Sequence, residues 1–308
     1  MKRILSALAL ACGLAVAAPG AHAEKIVVGY TGAGVWVSAF IAKDKGLFEK
    51  HGLDVDLLFI QLNSTMPQAL VSNSIQVGLP TPSVLIQAND AGLDLVAIAG
   101  ATVTGGPQND VGAVAGANTN IRTPQDFIGK KVGVPGLGAF LHVMFRHWLI
   151  LKGVDYTKVN FVEIAFPQAP DVLKSGTVDA VITADPFLTK IVNDKTGYVV
   201  GNFLGELPPG IASGFFTTTR DWAKAHAKEV AAFQAAIADA AALGDKDEAL
   251  QREAIGHYIK LPPPVIATMR LAPLAPKVEP QEIRFWFDVM KAQKMLSHDL
   301  DVDAMIWK

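Results

Sequence analysis

Short apolar runs, each closed by glycine or proline and followed by a stretch with helical spacing, recur along this chain. A strand that must be followed by a helix before the next strand can pair restricts the fold to parallel βαβ units. The stretch from Gly129 to Trp148, GKKVGVPGLGAFLHVMFRHW, shows the unit most clearly. Lys131 to Val134 reads as a buried strand, and Pro135 to Gly138 as a tight turn. From Ala139 onward Phe140, Val143, Met144 and Trp148 recur at the spacing of a helix face. The first N–H groups of such a helix lack intrahelical partners and lie at the positive end of its dipole. Gly138, Ala139 and Phe140 are therefore expected to offer backbone donors to a small anion or polar headgroup, without a basic side chain. A plain βα turn reads the same way. No third glycine with a following acidic residue supports a dinucleotide site.

In chain order, strands are expected at residues 25–30 (KIVVGY), 53–60 (LDVDLLFI), 75–79 and 93–101. Ser64 or Thr65 is placed to cap a helix ending near Asn73, and Pro82 opens another. Further strands are expected at 159–164, 180–183, 198–201 and 211–218. A long Ala-rich helix follows over 221–243, capped by Thr219 and ended by Gly244. Residues 70–82 can be laid on 173–186, and the stretch from Lys25 on the stretch from Lys131. Two such matches in the same order predict a duplicated α/β unit.

Residues 1–23 have the form of a cleaved secretory signal: Lys2 and Arg3, an apolar run, then Ala21-His22-Ala23. The only cysteine, Cys12, lies inside it, so disulfides and thiolate sites are not expected in the mature chain. Without the signal, 25 basic and 29 acidic residues leave a net charge of −4. No basic cluster argues for nucleic acid. No G-x-S-x-G, Walker or H-E-x-x-H sequence is present, and the histidines do not pair at metal-ligand spacing. No cofactor and no catalytic residue are expected.

Four segments stand out: residues 46–55 (GLFEKHGLDV), 124–134 (PQDFIGKKVGV), 176–187 (GTVDAVITADPF) and 216–222. Together they resemble the periplasmic solute-binding proteins of ABC importers, in the group that takes nitrate, taurine, alkanesulfonates and thiamine-pyrimidine precursors. The resemblance implies an α/β, two-lobed binding protein (type II), each lobe a mostly parallel sheet flanked by helices, with a double-crossover hinge. The expected lobes are 24–112 with 209–308, and 113–208, crossing near residues 110–113 and 208–213. It also implies a periplasmic, monomeric protein whose partners are a small-molecule ligand and a membrane permease.

In a parallel sheet, ligands bind beyond the carboxyl ends of the strands. Those ends place Trp36, Ser38, Gln61, Asn63, Thr81, Pro82, Leu137, Gly138, Ala139, Phe140, His142, Gln168, Asp185, Phe187 and Phe215 as ligand-binding candidates. Several have a simpler role. Trp36, Phe187 and Phe215 fit a core, His142 a surface or lobe contact, and Asp185 a helix cap before Pro186. The loops hold Thr, Ser, Asn, Gln and aromatics but no Arg or Lys. That favours a small organic monoanion, a sulfonate or an aromatic carboxylate, held by backbone amides. The alternatives are a neutral aminopyrimidine with Asp185 as acceptor, and an exported cleft enzyme on the same fold using Asp185 or His142.

Overall fold

The structure is a computed structural model that describes residues 25–105 and 110–308. The expected signal and Cys12 lie outside the described residues. Strand β1 (Lys25–Tyr30) pairs in parallel with β2 (Asp54–Phe59). The strand expected at 75–79 is reduced to two bridges, Val28 to Val77 in parallel and Gly78 to Thr217 antiparallel. Through them the sheet continues to β9 (Phe215–Thr219), which runs antiparallel to β3 (Leu95–Gly100).

A second sheet holds β4 (Val111–Gly116), β5 (Lys131–Val134), β6 (Asn160–Glu163), β7 (Ala180–Ala184) and β8 (Gly197–Gly201), in the order β6-β5-β7-β4-β8. β5 is parallel to β6 and β7, whereas β4 is antiparallel to both β7 and β8. With the 77–78 bridges counted as a strand position, the first sheet follows the same pattern, its antiparallel member being β9. Each sheet is thus mixed, and its reversed strand is the one that arrives from the other sheet.

The internal repeat is visible in detail. A 3-10 turn and short helix, Asn63–Thr65 then Met66–Val71, has its counterpart in Phe166–Gln168 then Ala169–Lys174. Asn73 (φ 58°) and Gly176 (φ 71°) make the same left-handed exit. Neither Ser64 nor Thr65 caps its helix by side chain. The Thr65 hydroxyl instead donates to the Leu62 carbonyl.

The two crossings run side by side. Val103 bridges Ala212, Ser213 N–H donates to the Thr102 carbonyl at 2.9 Å, and Thr104 N–H to the Ile211 carbonyl at 2.8 Å. The first crossing therefore lies earlier than residues 110–113, because 111–113 are already laddered into the second sheet.

The expected long helix divides into Arg220–Ala225 and Ala227–Gly244. At the break His226 leaves helical geometry, and its ring stacks on Trp222. Thr219 caps the first piece, accepting from Trp222 N–H at 3.2 Å. One buried apolar cluster spans both sheets, with Phe140 against Trp286 of the helix Pro280–Ala292. Burial of this kind, at roughly 25 cal/mol per Å², is what holds the C-terminal helix across both halves.

Candidate functional site

The carboxyl ends of the parallel strands converge on one cavity between the sheets. Thr31 follows β1, Leu79 and Thr81 follow the 77–78 bridges, Pro135 follows β5, and Ala184 with Asp185 close β7; all line it. The cavity is therefore walled by residues from both sheets, as expected for parallel strands ending at a common crevice. Thr102 and Ser213, from the two crossings, also line it, as do Asp110 and Arg270.

Of the fifteen expected residues, Asn63, Thr81, Ala139, Phe140 and Asp185 line the cavity. Asn63 shapes its wall: the side-chain amide donates to the Leu79 carbonyl and accepts from Thr81 N–H, both at 2.9 Å. The remaining ten do not line it. Trp36 is 0% exposed, donates from Nε1 to Thr31 Oγ1, and packs edge-on against Phe216. Phe215 is buried, and Phe187 stacks on Phe166. These aromatics carry core packing, which a single sequence does not distinguish from a stacking platform. Ser38 and Pro82 are buried in their helices, whereas Gln61, Gln168 and Leu137 are exposed.

The Gly138–Phe140 donors are all engaged. Gly138 N–H donates to His142 Nδ1 at 2.8 Å, Ala139 N–H to the Gly136 carbonyl, and Phe140 N–H to Thr81 Oγ1 at 3.1 Å. Helix-end geometry alone does not reveal that a side chain one turn later satisfies the first donor. His142 is consequently a fixed part of this turn. Its acceptance at Nδ1 places the proton on Nε2, which is buried without a partner. Burial, reinforced by the Arg146 charge, pulls the imidazole down to about 3.

The same turn is held from the first-sheet side. Gln87 Nε2 donates to the Gly138 carbonyl at 2.9 Å. Glu163 Oε1 accepts from both Leu137 N–H at 2.7 Å and the Ser64 hydroxyl at 2.9 Å.

Asp185 does cap the helix Phe187–Asn193, accepting Thr189 N–H at Oδ1 (2.8 Å), while its Oδ2 accepts Arg270 N–H at 2.7 Å. Pro186 stands one residue before that helix, not at its first position. Asp185 N–H in turn donates to the Asp110 carbonyl at 2.6 Å. Burial raises the Asp185 carboxyl, and these backbone bonds oppose the rise. Asp110 is pushed up to about 6, chiefly by burial and then by the Asp185 charge, with Arg270 acting the other way. Its Oδ1 is buried and has no hydrogen-bond partner.

Sequence reasoning missed Thr102, Asp110 and Arg270. Arg270 reaches the cavity from the segment after the helix Pro263–Thr268, far along the chain from any βα loop. The return of the C-terminal tail to the first sheet was the only available signal for it. Among the described residues, no cluster of three or more His, Cys, Asp or Glu could hold a metal ion. No described helix is long and apolar enough to cross a membrane.

A family model described as NMT1/THI5 like matches residues 36–247, well over half of the chain. The chain belongs to the NMT1/THI5-like family. It is 30% identical over 144 residues to the formylaminopyrimidine-binding protein of Halalkalibacterium halodurans, a match covering 46% of this chain and 42% of that one. The match thus spans less than half the length of that relative. Among solved structures it is similar to the alkanesulfonate-binding protein SsuA of Xanthomonas axonopodis pv. citri bound to MOPS. There the TM-score is 0.81 at 21% identity, covering 93% of this chain and 99% of that one. The periplasmic nitrate-binding protein NrtA of Synechocystis PCC 6803 gives 0.79 at 18% identity, with 92% and 85% covered. At these identities the likeness establishes the fold: this NMT1/THI5-like chain has the α/β periplasmic binding protein architecture.

Proposed function

We propose that this chain is the extracytoplasmic solute-binding subunit of an ABC importer. It captures a small organic molecule in the cavity between its sheets and delivers it to a membrane permease from the periplasm. The observation that carries the reading is the cavity itself, which draws its walls from the ends of strands in both sheets and from both crossings. A ligand touching both halves binds the closed form better than an open one, so binding and closure are linked. The moving bodies are the two sheets with the helices packed on them, turning about the paired crossings at Thr102–Thr104 and Ile211–Ser213. Among the described residues, no group lining the cavity is arranged as a nucleophile with its base, which supports binding over turnover.

The side chains favour a ligand whose polar end carries N–H groups, of the aminopyrimidine class. Two acidic residues, Asp110 and Asp185, line the cavity with one cationic residue, Arg270, and the amides proposed to hold an anion are engaged. The formylaminopyrimidine-binding relative supports the same class. A sulfonate or aromatic carboxylate is the second reading, carried by the Arg270 charge at the wall.

Mass spectrometry of small molecules carried through purification tests the proposal, followed by a thermal-shift screen of pyrimidines, sulfonates and carboxylates. A stabilising compound from these classes is expected. A protein that carries no small molecule and is stabilised by none of them contradicts the reading.

A further inference from the structure

The cavity's polar lining is mostly spoken for. Asn63 and Asp185 have protein partners on both side-chain polar atoms, and the Thr31 and Thr81 hydroxyl oxygens each accept an N–H from the protein. Two lining groups differ. Thr102 is 2% exposed and its hydroxyl has no partner; Asp110 Oδ1 is likewise buried and unpartnered. Both belong to the first crossing and its immediate continuation, not to a βα loop. A buried polar atom left unpaired is destabilising, because it has lost its water and gained no partner. Two of them lining one cavity therefore mark where a ligand can restore lost hydrogen bonds.

We infer that Thr102 and Asp110 are the specificity-determining pair of the cavity, selecting a ligand that donates an N–H to the Asp110 carboxylate and hydrogen-bonds the Thr102 hydroxyl. The inference rests on the solute-binding reading and adds the chemistry of selection. A carboxylate has acceptor capacity only, so Asp110 rewards amino, amidine or ring N–H groups and repels sulfonates and carboxylates. The Asp185 charge adds to that repulsion, and Arg270 offsets part of it. Thr102 is neutral and can donate or accept, so it fixes orientation and does not discriminate by charge. Its own carbonyl is already bonded to Ser213 N–H, which holds the residue in register between the crossings.

Calorimetric titration of wild type, Asp110→Asn and Thr102→Val with 4-amino-2-methylpyrimidine and with benzenesulfonate tests this at pH 8, where Asp110 is ionised. Wild type should bind the aminopyrimidine in preference to the sulfonate. Asp110→Asn should weaken the aminopyrimidine about tenfold or more, since hydrogen bonds to charged groups are the stronger ones. It should also narrow the preference over the sulfonate, a readout that a merely structural role would not move. Thr102→Val should weaken the aminopyrimidine several-fold and leave the preference intact. Both substitutions are nearly isosteric, and the melting temperature of each ligand-free variant verifies folding. Unchanged aminopyrimidine affinity in folded Asp110→Asn and Thr102→Val overturns the inference and leaves the solute-binding reading standing. So does a wild type that prefers benzenesulfonate. Failure of every compound in the wider screen removes both.

Discussion

At the scale of single residues, Gly138 shows how much one position carries. Its φ of +78° suits glycine, and a Cβ there would stand 2.8 Å from Gln87 Oε1, on the side chain that holds the Gly138 carbonyl. Gly138→Val is expected to cost about 1–2 kcal/mol from backbone strain and the displaced Gln87 contact. Chemical denaturation of the ligand-free protein measures it, and an unchanged midpoint contradicts the account of the turn. Asp110 and His142 make opposite pH predictions. The folded-state value of Asp110 is raised to about 6, so its contribution to stability is present at low pH and is lost as pH rises through 6. His142 is lowered to about 3, so its contribution is present above the ordinary imidazole range and is lost as pH falls toward 3. Asp110→Asn should therefore gain stability over wild type as pH rises from 4 to 7, by on the order of 2 kcal/mol. A pH-independent difference in melting temperature between the two would mean that Asp110 is not desolvated. Such residue-level facts were the least legible in the sequence. The Asp185 cap could be read from its place before Pro186 and a helix. The His142–Gly138 bond and the buried, unpartnered Oδ1 of Asp110 depend on tertiary burial that no local pattern encodes.

Elements were read more reliably, and their failures have physical causes. The expected strand positions in the second sheet follow from apolar runs bounded by Gly and Pro, and the strands Asn160–Glu163 and Ala180–Ala184 lie where the pattern puts them. The run at 75–79 is just as apolar, yet only Val77 and Gly78 find bridge partners. Apolar character specifies burial there, not a ladder. The Ala-rich stretch is continuous in helix propensity but breaks at His226, whose stacking on Trp222 overrides it. Between elements, Glu163 joins the turn at Leu137 to Ser64 and so ties the two halves at the cavity edge. Glu163→Ala should weaken that tie by about 1 kcal/mol. The ligand-free variant should then show a larger radius of gyration by small-angle scattering than wild type, and saturating ligand should reverse the increase. Identical scattering curves for the two ligand-free proteins would show that Glu163 does not hold the halves together.

At the scale of the whole molecule, duplication was the most informative reading. Two weak self-matches in the same order predict two similar units, and the two sheets do share one strand order with a reversed strand in the same place. The cavity then follows from topology, since parallel strands from both sheets end at it. Its chemistry does not follow, because Arg270, Thr102 and Asp110 arrive from the tail and the crossing. A loop-by-loop reading therefore called for an anion on free backbone amides, and the folded chain engages those amides internally. The central claim is that a small solute is held between the two sheets. A crystal structure of the protein with its co-purified compound, or with 4-amino-2-methylpyrimidine, tests it most directly. The account predicts the molecule in the cavity bounded by Thr81, Phe140 and Asp185, with its polar end at Thr102 and Asp110. A molecule bound elsewhere, such as the groove beside Gln234 and Trp307, with the central cavity unfilled, would contradict it.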